Sequence, residues 1–169
     1  MLKYCLVFFI LFATLQAQDK STWSQKKTIP KWARRELKNH GIDRKYTVTY
    51  QIYPPYFRGD FNGDGKKDVA ILVMNNESGK FGIAVIHERT YAQDMSTRSF
   101  VLGAGKDFGS NNDFKWITSW SLIPEHKIAT LFGKKPLPDF HGDIIQAEGK
   151  DGRKGLIYWS GRKYEWHKL

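Results

Sequence analysis

The spacing of apolar residues along the chain changes period near residue 45, from a helical repeat to strand-like runs. Ile29, Trp32, Ala33 and Leu37 fall on one face of a helix, and Thr28 can cap it. Pro30 is tolerated in its first turn, where the backbone N–H has no partner, and His40-Gly41 supplies the stop. This spacing predicts one amphipathic helix over 29–40, with Arg34, Arg35 and Glu36 on the wet face and Trp32 in the core. From Tyr46 onward, β-branched and aromatic residues dominate. They predict strands over 46–53, 69–74, 81–87, 100–102, 117–123, 144–147, 155–159 and 163–166. Pro54-Pro55 ends the first strand because neither residue can donate to a ladder. Asn75-Asn76-Glu77-Ser78-Gly79 turns the second strand into the third, and Ser160-Gly161-Arg162 closes a terminal hairpin. The fold class that follows is mainly β (α+β): a single antiparallel β-sheet or a compact sandwich with one N-terminal amphipathic helix. No repeat of blade length occurs, which excludes a full propeller.

Ahead of these elements, residues 2–17 combine Lys3, an apolar run over 5–13 and small or polar residues ending at Ala17, the pattern of a secretory signal peptide. The run is shorter than the roughly 18 apolar residues of a membrane span. The expected organisation is a signal peptide at 1–17, a polar leader at 18–27 and one β-rich domain at 28–169. That mature chain would have no transmembrane segment and would be secreted or periplasmic. Cys5 leaves with the signal, so no disulfide can staple the domain, and stability must come from packing or a bound metal.

The formal charge of +10 suggests attraction to acidic partners, including phosphate-bearing envelope lipids. Basic residues come as scattered pairs, Lys26-Lys27, Arg34-Arg35, Lys66-Lys67 and Lys134-Lys135, without the stripe of a nucleic-acid module. The expected partner is an envelope polysaccharide or protein, and the expected state is a monomer.

The densest chemistry lies at 60–68. Asp60, Asn62, Asp64 and Asp68 place side-chain oxygens at loop positions one, three, five and nine, and Lys66 can add its carbonyl at position seven. Calcium takes six to eight oxygen ligands, and alternating residues on a tightly curled backbone turn such oxygens inward. Gly65 permits the sharp bend. Three carboxylates in nine residues repel one another unless a cation neutralises them, so Ca²⁺ is the expected cofactor, in a structural role. Ile71 stands where an EF-hand needs its bidentate glutamate, and an apolar strand follows in place of a helix.

The run Gly59-Asp60-Phe61-Asn62-Gly63-Asp64-Gly65-Lys66-Lys67-Asp68-Val69-Ala70 resembles the calcium loop and following strand of FG-GAP/VCBS-type repeats. In that family the loop binds Ca²⁺ between two strands of a propeller blade, which implies metal-ligand roles for Asp60, Asn62, Asp64 and Asp68. The closing segment 155–166 resembles the terminal hairpin of small exported bacterial proteins that carry one such loop.

Other candidates read as structural. Arg58-Gly59-Asp60 spells an adhesion tripeptide, but Asp60 is committed to the loop. Gly103-Ala104-Gly105-Lys106 lacks the spacing of a phosphate loop and reads as a tight turn. Asp107, Asn111, Asn112 and Asp113 are irregularly spaced and read as a loop with Asx turns. His87, His126 and His141 are too scattered for a zinc motif. Asp139, His141 and Asp143 are the best place for an acid/base pair. The aromatics Tyr53, Tyr56, Phe57, Trp116, Trp120, Tyr158, Trp159 and Trp166 could build the core or form an exposed sugar-stacking strip. The function expected is a non-enzymatic, exported calcium-binding interaction module of the bacterial envelope. The alternatives are an inhibitor or accessory factor of a secreted or periplasmic hydrolase, and a metal-assisted hydrolase.

Overall fold

Two antiparallel sheets face each other, and each is covered on its outer face by helix. This arrangement comes from a computed structural model that describes residues 29–88, 99–109, 111–133 and 138–169. The expected signal peptide and leader, and the Thr28 cap, lie outside the described residues. The chain divides after Pro30 into two units, and Lys31–Leu169 carries every element described here.

The first sheet contains β1 (Tyr46–Val48), β2 (Tyr56–Gly59), β3 (Asp68–Asn75), β4 (Phe81–Ile86) and β5 (Ser99–Gly103). Its order is β1-β3-β4-β5, with β2 also paired to β3. The second sheet runs β6 (Ile117–Ile123), β7 (His141–Gly149), β8 (Lys154–Trp159) and β9 (Tyr164–Lys168) in sequence order. Successive residues of a strand point to opposite faces. Ala70, Leu72, Ile83 and Val85 therefore meet Trp120, Ile145, Ala147 and Ile157 of the second sheet in one core. The intervening Val69, Ile71, Val73, Ala84 and Ile86 are fully buried on the other face. Burial on both faces is why β3 reads as an unbroken apolar run.

Helix α1 (Lys31–Asn39) packs against β4 with Ala33, Glu36 and Leu37 turned inward, and the short α2 (Ile42–Lys45) follows. On the outer side of the second sheet, Ile128 of α3 (Glu125–Phe132) joins Ile123, Ile144, Leu156 and Tyr158 in a second apolar cluster.

Three local expectations are corrected. The strand expected over 46–53 stops at Val48; β1 and β2 both pair with β3, and the linker between them carries Pro54, whose carbonyl accepts from the Trp120 indole at 2.8 Å. Glu36, expected on the wet face, is buried, where it pairs with His40 across one helical turn. Helix α3 was not foreseen. Its first N–H, from Glu125, is capped by Asp143 of β7 at 3.0 Å, a partner far away in sequence. The hairpins β3–β4 and β8–β9 form as expected.

Candidate metal centre

β2 and β3 pair from Tyr56 opposite Ile71 to Gly59 opposite Asp68, so the expected calcium loop closes a β-hairpin. Inside it the Asp60 carboxylate organises the backbone. Its Oδ1 accepts from the N–H groups of Gly63 at 2.8 Å and Asp64 at 3.0 Å, and its Oδ2 accepts from Gly65 at 2.7 Å. Asn62 Oδ1 accepts from Asp64 N–H at 3.2 Å, and Asp64 Oδ1 accepts from Lys66 N–H at 2.9 Å. Gly65 takes φ 82, the left-handed conformation that the bend requires. The Lys66 ammonium lies 3.4 Å from Asp64 Oδ2 at the half-exposed rim, so part of the loop's charge is already balanced.

Asp68 differs from the other three. It is completely buried, with Oδ2 accepting from Phe61 N–H at 3.1 Å and Oδ1 from Glu88 N–H at 2.8 Å. Burial pushes its carboxyl up to about 7; the nearby charges of Asp64 and Asp60 add to the rise, and the two N–H donors oppose it. A carboxylate that is hard to ionise, beside two others, is the electrostatic condition that a cation relieves.

Behind the loop stand residues whose role the sequence concealed. Asn62 Nδ2 meets His87 Nδ1 at 3.3 Å, and His87 Nε2 meets the Tyr164 hydroxyl at 2.7 Å. Burial holds His87 down to about 4, so its ring is neutral at physiological pH. A neutral ring that accepts at Nδ1 carries its proton at Nε2 and donates to Tyr164. That arrangement fixes the Asn62 amide with its oxygen turned toward the loop. Burial, with the charges of Asp68, Asp60 and Asp64, raises the Tyr164 phenol well above its ordinary value.

The second sheet grips the loop from the other side. Asp143 N–H donates to the Asp60 carbonyl at 2.6 Å, and Asp143 Oδ2 accepts from Asp60 N–H at 2.9 Å. Space there is so tight that a Cβ at Gly142 would lie 2.2 Å from the Asp60 carbonyl oxygen. At Gly59 a Cβ would lie 2.9 Å from Asp143 Oδ2. Gly142 is thus a spacer between two backbones, and Gly59 leaves room for the Asp143 carboxylate.

The acid/base trio does not assemble around a free base. Asp143 has one oxygen on Asp60 N–H and the other on Glu125 N–H, while Asp139 and His141 are exposed. His126 is exposed on α3, apart from His87 in the core. Arg58 turns its guanidinium to Glu88 at 3.4 Å, and Asp60 is folded into the loop, so the adhesion tripeptide is not displayed. Gly103, Ala104 and Gly105 form a turn with positive φ throughout. Asp113 Oδ1 accepts from Lys115 and Phe81 N–H, a structural cap within the second oxygen-rich segment. Trp116, Trp120, Trp159 and Trp166 pack in or against the inter-sheet core, whereas Tyr53 is exposed.

The donor set suits a hard cation. Asp60 Oδ2, both Asp68 oxygens and Asn62 Oδ1 each accept one N–H and keep a further lone pair. Among the described residues, no three His, Cys, Asp or Glu side chains are gathered closely enough to be a ready metal site. The oxygens therefore have to close in to coordinate an ion together.

Compared with family models, curated proteins and solved structures, the chain matches none. The likeness to FG-GAP/VCBS loops rests on the loop residues alone.

Proposed function

We propose that the chain is an exported, non-enzymatic interaction protein of the bacterial envelope whose β2–β3 loop binds a structural Ca²⁺. The observation that carries this reading is Asp68. It is a fully buried carboxylate at the root of a hairpin, beside Asp60 and Asp64, and burial, with their charges, raises its pKa to about 7. Asp60, Asn62, Asp64 and Asp68, with the Lys66 carbonyl, are the residues that would hold the ion. Bound there, the ion supplies positive charge against three carboxylates and takes no part in bond making.

What the chain's own residues do is positional. Asp60 curls the loop through three N–H bonds, His87 orients Asn62, and Asp143 ties the loop to the second sheet. A non-enzymatic role is supported by Asp143, the carboxylate best placed for acid/base work, which is occupied by two backbone donors. Equilibrium dialysis of the full chain with calcium tests the proposal. One ion per chain is expected, and a chain that retains none sinks the reading.

A further inference from the structure

We infer that the outward flank of α1 is a docking face for an anionic membrane surface. At about 100° per residue, Lys31, Arg34, Arg35 and Lys38 fall within an arc of about 100°. That arc lies opposite the inward residues Ala33, Glu36 and Leu37. All four cations are exposed, and Arg44 and Lys45 of α2 extend the same basic segment, with Asp43 as its one exposed acid. Among the described residues none of these six cations forms an ion pair, although cations elsewhere in the chain find carboxylates at Glu88, Asp64, Asp151 and Glu148. The one carboxylate on α1, Glu36, is turned away into the core. What the sequence presents as scattered pairs is, on the helix, a single convex row of positive charge.

Three features select a lipid surface over other polyanions. A straight helical flank with one row of cations matches a plane of phosphates. In the sequence, the expected signal run over 5–13 stands upstream, so the precursor is delivered to a membrane before that signal is removed. The exposed large apolar residues among those described are Tyr50, Tyr53, Leu131 and Leu169, none of them on α1. Binding is therefore electrostatic and salt-reversible, without insertion. This inference is independent of the calcium loop.

The test is flotation of the full chain with phosphatidylcholine vesicles, with and without phosphatidylglycerol, across a salt series. Any binding through the apolar run is common to both vesicle types, and the leader lysines are common to every variant, so the loss of anionic preference on substitution isolates the helix. The wild-type chain should prefer anionic vesicles, and the preference should fade as salt screens it. With about fivefold per cation, the variant K31A/R34A/R35A/K38A should lose at least tenfold of that preference, whereas R34K/R35K should keep it. A circular-dichroism melt checks each fold. Should the fourfold variant fail to fold, R34Q/K38Q is read in the same way. Equal preference in wild type and variant overturns the inference, as does an absence of any anionic preference. Binding of dextran sulfate that the variant loses, while vesicle binding stays unchanged, also overturns it and assigns the face to a polyanionic glycan.

Discussion

Asp143 and Asp60 grip each other twice across the two sheets: the backbone N–H of Asp143 donates to the Asp60 carbonyl, and the Asp143 carboxylate accepts from the Asp60 N–H. The residues are 83 apart in sequence, and the same carboxylate caps helix α3 through Glu125. One side chain thus fixes the loop, a strand and a helix start.

Asp143→Ala leaves the N–H groups of Asp60 and Glu125 without their acceptor. Each such loss costs about 1–3 kcal/mol when the donor is kept from water. Urea denaturation should show destabilisation of at least about 2 kcal/mol. A change within 0.5 kcal/mol, the range of an ordinary surface substitution, contradicts the clamp.

Gly142 and Gly65 form a controlled comparison, because both have positive φ, 75 and 82. A Cβ at Gly65 meets nothing within 4 Å, whereas at Gly142 it would lie 2.2 Å from the Asp60 carbonyl oxygen. Gly65→Ala should therefore cost only the backbone strain of about 1–3 kcal/mol. Gly142→Ala should cost clearly more, because two backbones must move apart. Equal costs in denaturant contradict the close approach.

Opposite pH dependences meet at the loop. Asp68 has a folded pKa raised from 3.8 to about 7, so without metal its contribution is full below its ordinary pKa and is lost as pH rises toward 7. His87 has a folded pKa lowered from 6.5 to about 4, so its contribution is full above 6.5 and is lost as pH falls toward 4. Between those limits the two slopes offset one another, each about 1.4 kcal/mol per pH unit at most. In chelator, His87→Gln should leave stability falling as pH rises from 4 to 7, and Asp68→Asn should leave it rising from 4 to 6.5. Denaturation series in which both variants show the same slope contradict the assignment.

Phe61 links the loop to the core. Its side chain is 1% exposed in the inter-sheet cluster, and its N–H holds Asp68. Phe61→Ala should cost about 3–5 kcal/mol, far more than a loop-tip substitution. A loss below about 1 kcal/mol would mean that the loop is not anchored there.

Much of this was legible because it is local. The unbroken apolar stretch of β3 announces burial on both faces, and the glycine-bearing turns announce the two hairpins. The loop declares its oxygens by spacing alone. What stayed hidden depends on partners distant in sequence. Nothing near Glu125 marks a helix start, since its cap comes from β7. Tyr46–Val48 and Tyr56–Gly59 look like one strand interrupted by prolines until both are seen on the same edge of β3. His87 and Asp143 carry titratable groups that suggest chemistry, but the fold uses them to orient Asn62 and to hold Asp60. Glu36 belongs by composition to a wet face, and its burial follows from the turn of α1 that faces the sheet.

A thermal melt of the full chain in calcium, in magnesium and in chelator tests the loop most directly. Calcium at ten times its dissociation constant should stabilise the fold by about 1.4 kcal/mol, raising the melting temperature by about 3–6 °C for a domain of this size. Asp64→Ala is the informative variant, because Asp64 sits at the exposed rim and its loss leaves the Asp60 and Asp68 bonds in place. It should melt like the wild type in chelator and show no calcium shift. Superimposable wild-type melting curves in calcium and chelator would contradict a structural cation at this hairpin.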